Sequence, residues 1–172
     1  MCSSDLAAGD LRAGEDSIRS RSSMFEIMEL LRAGKSILYR ITVPEGLTSA
    51  QIIRIVEADQ VLVGEALEVP PEGSLLPETY LFQRGMSRTD MVEQMLTAQK
   101  NILAELWQER SEDLPFSTPE EAVILASIVE KETAVAEERA RVAAVFVNRL
   151  KRNMRLESDP TIIYGLTEGE PL

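Results

Sequence analysis

Residues 118–133, TPEEAVILASIVEKET, decide the fold of the second half of the chain. Thr118 is suited to cap a helix, Pro119 suits its first turn, and Glu121 completes a capping box. Apolar residues then recur at helical spacing: Ala122, Leu125, Ala126 and Val129. The stretch therefore predicts a helix that buries one face.

Two carboxylates close this helix, and they differ in position. At about 100° per residue, Glu132 falls beside Ile128 and Val129, roughly 60° from the centre of the apolar stripe, whereas Glu130 lies at its edge. Burial disfavours a charged carboxylate, so one on an apolar face is costly unless its chemistry requires it. Such a group suits a general acid, and Glu132 is the candidate catalytic residue. Periodicity alone favours a plainer interpretation, a solvated glutamate where the helix leaves the core.

Composition excludes several classes of function. The chain of 172 residues carries a net charge of −11, which argues against nucleic acid as a partner. It contains no histidine, so Ser-His-Asp and Cys-His nucleophiles and histidine metal sites are excluded. The single Cys2 cannot form an intrachain disulfide. We expect neither a metal nor a cofactor.

Neither a membrane span nor a signal peptide is recognisable. No apolar run approaches the ~18 residues that span a bilayer, and the N-terminus lacks a basic start with an apolar segment. Residues 1–22 are expected to form an irregular N-terminal remnant.

Residues 23–66 predict a small α/β unit. Ser22 or Ser23 opens a helix that stops at Gly34, residues 36–43 alternate as a strand, and a second capping box at 48–51 opens a short helix. From the residues alone, this unit is either a binding or spacer module or plain scaffold, and scaffold is favoured.

Residues 67–172 predict a mainly helical second domain. After a Pro- and Gly-rich linker with a short strand near Tyr80, a helix runs from Ser87 to about Arg110. Further on, residues 136–151 predict a third helix and 153–166 a loop. The buried side of the long helix is expected to comprise Met91, Val92, Met95, Leu96, Ile102, Leu103, Leu106 and Trp107.

Several motifs in order resemble the MltG-type (YceG-like) endolytic murein transglycosylases. The most specific block contains LASIVEKET at 125–133, Glu138-Arg139, VAAVFVNRL at 142–150 and MRLESDPTIIYGL at 154–166. Upstream, VPEGLT at 43–48 and EGSLLPETY at 72–80 also resemble the signature stretches of that family. Each motif alone would be weak, and their order makes the resemblance specific.

The resemblance implies a bacterial enzyme of cell wall assembly that limits glycan strand length. Members cleave the MurNAc-GlcNAc β-1,4 bond within strands and leave 1,6-anhydromuramoyl ends. It implies an α+β fold with a LysM-like subdomain at 23–66 and a mainly helical, lysozyme-like catalytic portion at 67–172. We expect this catalytic portion to be incomplete. The catalytic residue of the family corresponds to Glu132, and Thr133 resembles the serine of the Glu-Ser pair in other lytic transglycosylases.

Four further residues are candidates for substrate binding. Asp159, Thr161 and Tyr164 lie in the loop expected to approach the helix end, where they could bind sugar hydroxyls or the acetamido group. Asn148 is expected to face the same cleft. The alternatives are that Asp159-Pro160 is only a turn, that Tyr164 is a core aromatic, and that Asn148 satisfies carbonyl groups.

Other charged residues near the motifs have weaker assignments. Glu130 is expected to pair with a nearby arginine, and Arg149 either faces the cleft or satisfies helix and loop carbonyls. Glu157 stands where the family commonly has glutamine, which adds a charge near the cleft.

The family pattern also implies partners and a location. The implied partners are peptidoglycan strands, peptidoglycan synthases and divisome proteins. The implied location is the cytoplasmic membrane, with a single-pass anchor and the domain facing the periplasm. We expect that anchor, and the distal catalytic portion, to lie outside these 172 residues. The alternatives are a non-catalytic wall-binding or divisome fragment, and a hydrolytic muramidase with Asp159 or Glu157 as second carboxylate.

Overall fold

A computed structural model describes residues 14–34 and 36–169, and within them an α+β arrangement of six helices and two strands. Most of the predicted N-terminal remnant, residues 1–22, lies outside the described residues, as does Cys2. In chain order the elements are α1 (Met24–Ala33), β1 (Tyr39–Thr42), α2 (Ser49–Ala58), β2 (Thr79–Phe82), α3 (Arg88–Gln108), α4 (Pro119–Glu132), α5 (Ala136–Lys151) and α6 (Asp159–Thr167).

Capping boxes begin three of the helices at the predicted residues, and Ser87 caps α3 without a box. Ser23, Thr48 and Thr118 each accept a hydrogen bond from a backbone N–H in the first turn, and a Glu or Gln side chain closes each capping box. Gly34 ends α1 with φ 59°, a left-handed conformation that favours glycine. These helix boundaries confirm the predictions, because caps are set by residues close in sequence.

The two strands form one antiparallel pair. Tyr39 lies opposite Phe82 and Ile41 opposite Tyr80. Ile41, Tyr80 and Phe82 are buried because alternate side chains of a strand point to the same face. The strands come from either side of the predicted boundary between residues 66 and 67, and the division into a 23–66 subdomain and a 67–172 domain stays a prediction.

The larger core lies between this sheet, α2 and the start of α3. Met91 and Met95 are fully buried in it, which confirms the predicted apolar side for the first half of α3. The second half differs, since Leu106 is 57% exposed although it was expected to be buried. Only the beginning of α3 reaches the larger core, and Trp107 instead stacks on Phe116 with ring centroids 6.4 Å apart.

A smaller core joins α4 to α5. Leu125 and Val129 of α4 are buried with Phe146 of α5, and Leu156 from the following loop packs against them. Ala126 is exposed, although the predicted stripe included it. The helix at 136–151 has the predicted bounds.

Helix α6 corrects the prediction of a loop over residues 153–166. Asp159–Thr167 is helical, with Ser158 as N-cap and Pro160 in the first turn, where proline is tolerated. Its apolar side chains are exposed among the described residues, including Ile162, Ile163 and Leu166.

Candidate active site

Glu132 is the last residue of α4 and is exposed to solvent. This corrects the expectation that its carboxylate is buried on the apolar face. The smaller core contains Leu125 and Val129, and burial stops there, so Glu132 lies beyond the covered part of the helix. The backbone N–H of Thr133 donates to the carbonyl of Val129 at 3.2 Å and closes the helix end.

Ser158 holds one oxygen of this carboxylate. Its hydroxyl donates to Oε2 of Glu132 at 2.9 Å, across 26 residues of sequence. Ser158 is only 3% exposed, although it is polar. Its side chain makes no capping bond to α6, so the hydroxyl is directed to Glu132 rather than to its own helix. The fold therefore holds the candidate acid with a neutral donor.

Sequence reasoning missed Ser158. The only signal was a serine directly before Asp-Pro, which is a common helix start. Nothing in the sequence indicated that the side chain would turn away from the helix it precedes.

Glu130 has a different environment from Glu132. Its carboxylate pairs with the guanidinium of Arg139 at 2.9 Å, which confirms the expected arginine partner. The same guanidinium reaches Glu45 at 3.3 Å. Of the two glutamates that flank Lys131, one is neutralised by a cation and the other contacts a hydroxyl group.

Thr133 links α4 to α5. It is buried, accepts from the backbone N–H of Val135 at 3.1 Å and donates to Glu138 at 3.4 Å. These contacts assign it to the turn that follows Glu132.

The predicted substrate-binding residues lie on α5 and α6. Asp159 and Thr161 are exposed in the first turn of α6, directly after Ser158, and the Thr161 hydroxyl donates to the Ser158 carbonyl at 2.7 Å. Tyr164 is 46% exposed, so it is not a core aromatic. Partial burial and the charges of Glu72 and Glu168 raise the pKa of Tyr164.

Asn148 is exposed on α5, and its side chain makes no hydrogen bond to another residue in the described part of the chain. The structure thus brings Asp159 and Thr161 close to Ser158. For all four residues, Asp159, Thr161, Tyr164 and Asn148, a role in substrate binding stays a prediction.

Arg149 stabilises the loop that leads to Ser158. Its guanidinium donates to the carbonyls of Leu156 at 2.6 Å and Arg155 at 3.3 Å. It also pairs with Glu157 at 3.4 Å, a residue with φ 51°. Of the two options for Arg149, the structure supports the one in which it satisfies loop carbonyls.

Within residues 14–34 and 36–169, no group of three or more acidic or cysteine side chains could hold a metal ion. Two concave surfaces of about 460 and 480 Å³ lie along α1 and α3, away from Glu132. None of the helices in the described part of the chain is long and apolar enough to cross a membrane.

A family model described as the YceG-like family matches residues 2–171. The chain belongs to the YceG-like family. This confirms the resemblance predicted from the motifs between residues 43 and 166.

Relatives of this YceG-like chain carry one name. A Streptococcus pneumoniae protein named endolytic murein transglycosylase is 28% identical over 199 residues, covering 91% of this chain and 36% of its own length. A Bacillus subtilis protein of the same name is 32% identical over 96 residues, covering 56% of this chain and 26% of its own length. The chain thus spans about a third of the length of these curated relatives.

A solved structure shares the fold. The 2.6 Å crystal structure of a YceG-like protein from Listeria monocytogenes superposes with a TM-score of 0.58 at 24% sequence identity. The match covers 95% of this chain and 64% of that one. At this identity the likeness shows the fold alone.

Proposed function

We propose that this YceG-like chain is the glutamate-bearing part of an endolytic peptidoglycan lytic transglycosylase, which cleaves the MurNAc-GlcNAc β-1,4 bond and leaves 1,6-anhydromuramoyl ends. The proposal rests on the different environments of the two glutamates at the end of α4. Glu130 is bound by Arg139, whereas Glu132 is exposed and held by the Ser158 hydroxyl. Relatives named endolytic murein transglycosylase support the same reaction.

One carboxylate suffices for this chemistry. Glycosidases that add water need two, an acid and a base or nucleophile. In the lytic reaction the C6 hydroxyl of the MurNAc residue attacks its own anomeric carbon, so no water has to be activated. Glu132 first protonates the leaving glycosidic oxygen and then, as carboxylate, accepts the proton of the C6 hydroxyl. The glycosidic C–O bond breaks, the C6–O–C1 bond forms, and the enzyme returns to its starting protonation state.

Ser158 orients the acid in this scheme. A general acid must reach its target oxygen within hydrogen-bond distance. The Ser158 hydroxyl binds Oε2 and leaves Oε1 of Glu132 without a hydrogen-bond partner in the described part of the chain. Oε1 is the oxygen we assign to proton transfer.

We assign substrate contacts to the residues around this carboxylate. Asp159 and Thr161 at the start of α6 are positioned to bind sugar hydroxyls next to Glu132. The Tyr164 phenol and the Asn148 amide provide further donors for hydroxyl or acetamido groups.

The remaining features of the proposal concern the whole protein. Residues 23–66 form the LysM-like part and 67–172 the lysozyme-like catalytic portion. This portion works outside the cytoplasmic membrane, where glycan strands lie. It limits strand length alongside peptidoglycan synthases and divisome proteins.

Mass spectrometry of glycan strands incubated with the purified chain tests the proposal. We expect products with anhydromuramoyl ends, and a loss of about 10²–10⁴-fold in rate for Glu132→Gln, because the amide keeps the shape but transfers no proton. Glu120→Gln at the opposite end of α4 is the matched control and should retain activity.

Other outcomes would replace the proposal. Reducing ends would indicate a hydrolytic muramidase in which water attacks. Binding without cleavage would indicate a wall-binding fragment. Equal losses of cleavage rate in Glu132→Gln and Glu120→Gln would contradict the assignment of Glu132 as the general acid.

A further inference from the structure

Arg139 connects the end of α4 to a distant turn of the chain. Its Nη2 lies 2.9 Å from Oε2 and 3.2 Å from Oε1 of Glu130. The same Nη2 lies 3.3 Å from Oε2 of Glu45, which is 94 residues away in sequence. One guanidinium nitrogen thus bridges a carboxylate of α4 and a carboxylate of the turn that follows β1.

That turn also packs directly on the last turn of α4. Gly46 has φ 75°, and a Cβ placed there would lie 3.4 Å from Nζ of Lys131 and 3.6 Å from Cγ of Glu130. Glycine permits the left-handed backbone, and the distances are those of ordinary van der Waals contact. The turn at residues 44–46 therefore rests against the residues that directly precede Glu132.

The bridge brings two like charges close together. Because Glu45 and Glu130 both lie within 3.3 Å of the same nitrogen, their carboxylates are neighbours that repel each other unless a cation lies between them. The Glu130 side chain is only 28% exposed, so water screens this repulsion incompletely. Removing Arg139 would therefore do more than delete a contact, since it would push the turn and the helix end apart.

Helix ends fray, and the direction of Glu132 depends on how the last turn of α4 is held. On one side, Ser158 holds the carboxylate itself. On the other side, within the described residues, the bridge of Arg139 to Glu130 and Glu45 holds the backbone turn that carries it.

We propose that Arg139 is a positioning residue: it fixes the last turn of α4 against the turn at residues 44–46 and thereby sets the direction of Glu132. The structural part of this inference stands on the contacts alone, and its consequence for catalysis rests on the proposed function. It links a turn of the first half of the chain, within VPEGLT, to the helix end that carries Glu132.

Amide hydrogen exchange and carboxyl NMR test the positioning without needing turnover. In Arg139→Gln we expect the amides of residues 131–133 to exchange about tenfold faster relative to the rest of α4, because the turn opens locally. The Glu132 carboxyl resonance, assigned by its disappearance in Glu132→Gln, should shift. Arg84→Gln is the matched control, since it removes another arginine ion pair, at 2.6 Å to Glu15, elsewhere in the fold.

A double variant distinguishes repulsion from simple loss of a contact. In Arg139→Gln/Glu45→Gln one of the two opposed carboxylates is neutral, so exchange at residues 131–133 should return towards the wild-type rate. Unchanged exchange in Arg139→Gln, uniform acceleration along α4, or a double variant worse than the single one would overturn the inference.

Kinetics of strand cleavage supply the catalytic readout. We expect Arg139→Gln to lower kcat about tenfold with little change in KM, because substrate contacts remain while the acid is misdirected. Arg139→Lys should recover part of the loss. A wild-type kcat in Arg139→Gln would overturn the catalytic role. If the wild-type chain itself cleaves no strands, the proposed function fails. The exchange data then still test whether the bridge of Arg139 holds the last turn of α4.

Discussion

Ser158→Ala is the substitution that most directly probes the candidate site. It removes the hydroxyl that donates to Oε2 of Glu132 at 2.9 Å and leaves a methyl group at a position that is 3% exposed. Because the Ser158 side chain makes no capping bond, α6 loses none of its own hydrogen bonds. The change therefore isolates the contact with Glu132.

The size of the effect follows from the contact. A hydrogen bond to a charged group contributes about 1.5–3 kcal/mol, and about 1.36 kcal/mol corresponds to a tenfold change in rate. Because Glu132 becomes charged as it gives up its proton, the bond strengthens in the transition state, and its loss corresponds to at most roughly 10- to 150-fold in kcat. Water can reach the exposed Glu132 and replace the lost donor, so we expect the lower end, about tenfold.

The assay is the initial rate of anhydromuramoyl product formation, with thermal unfolding followed in parallel. Ser127→Ala is the matched control, because that hydroxyl is exposed on the same helix and donates to the carbonyl of Ile124 at 2.8 Å. A Ser158→Ala rate within about twofold of the Ser127→Ala rate would refute the orienting role of Ser158.

Two further predictions concern stability. Met95 is fully buried in the larger core, so Met95→Ala should lower the free energy of unfolding by about 2–5 kcal/mol in urea denaturation. Met154 is half-exposed, so Met154→Ala, the control, should change the free energy of unfolding by less than about 0.5 kcal/mol. Backbone hydrogen bonds from Ser117 and Thr118 hold the pKa of Glu121 below its ordinary value. The charged Glu121 carboxylate therefore stabilises the fold at pH values above its pKa in the unfolded chain. This stabilisation is lost as the pH falls through the lower pKa of the folded state. The difference in melting temperature between the wild type and Glu121→Gln should therefore shrink between about pH 6 and about pH 3, and a difference independent of pH would contradict this account.

The helix starts were predictable because their causes are local. Ser23, Thr48 and Thr118 cap helices through bonds to residues in the first turn, and Gly34 ends α1 through its own backbone freedom. Such signals are complete within a few neighbouring residues. Helix α6 was not predicted because it is only nine residues long and its N-cap, Ser158, makes no side-chain capping bond.

Burial was less predictable than helicity. The face of α4 that carries the apolar stripe continues to Glu132, but the smaller core reaches only as far as Val129, so Glu132 is exposed. The same holds for Leu106 at the end of α3. A period tells which face of a helix is apolar, whereas the length of that face that is covered depends on the neighbouring element.

By itself, the sequence determined the family, the candidate carboxylate and the elements that carry it. The motif order indicated the YceG-like family, and the Glu-Lys-Glu ending of α4 indicated Glu132. Only the tertiary structure decided what surrounds that carboxylate. Ser158 reaches it from 26 residues away, and Glu45 meets Arg139 across 94 residues. Periodicity and capping act within a few turns of chain, whereas these contacts depend on how α6 and the turn after β1 pack on the end of α4.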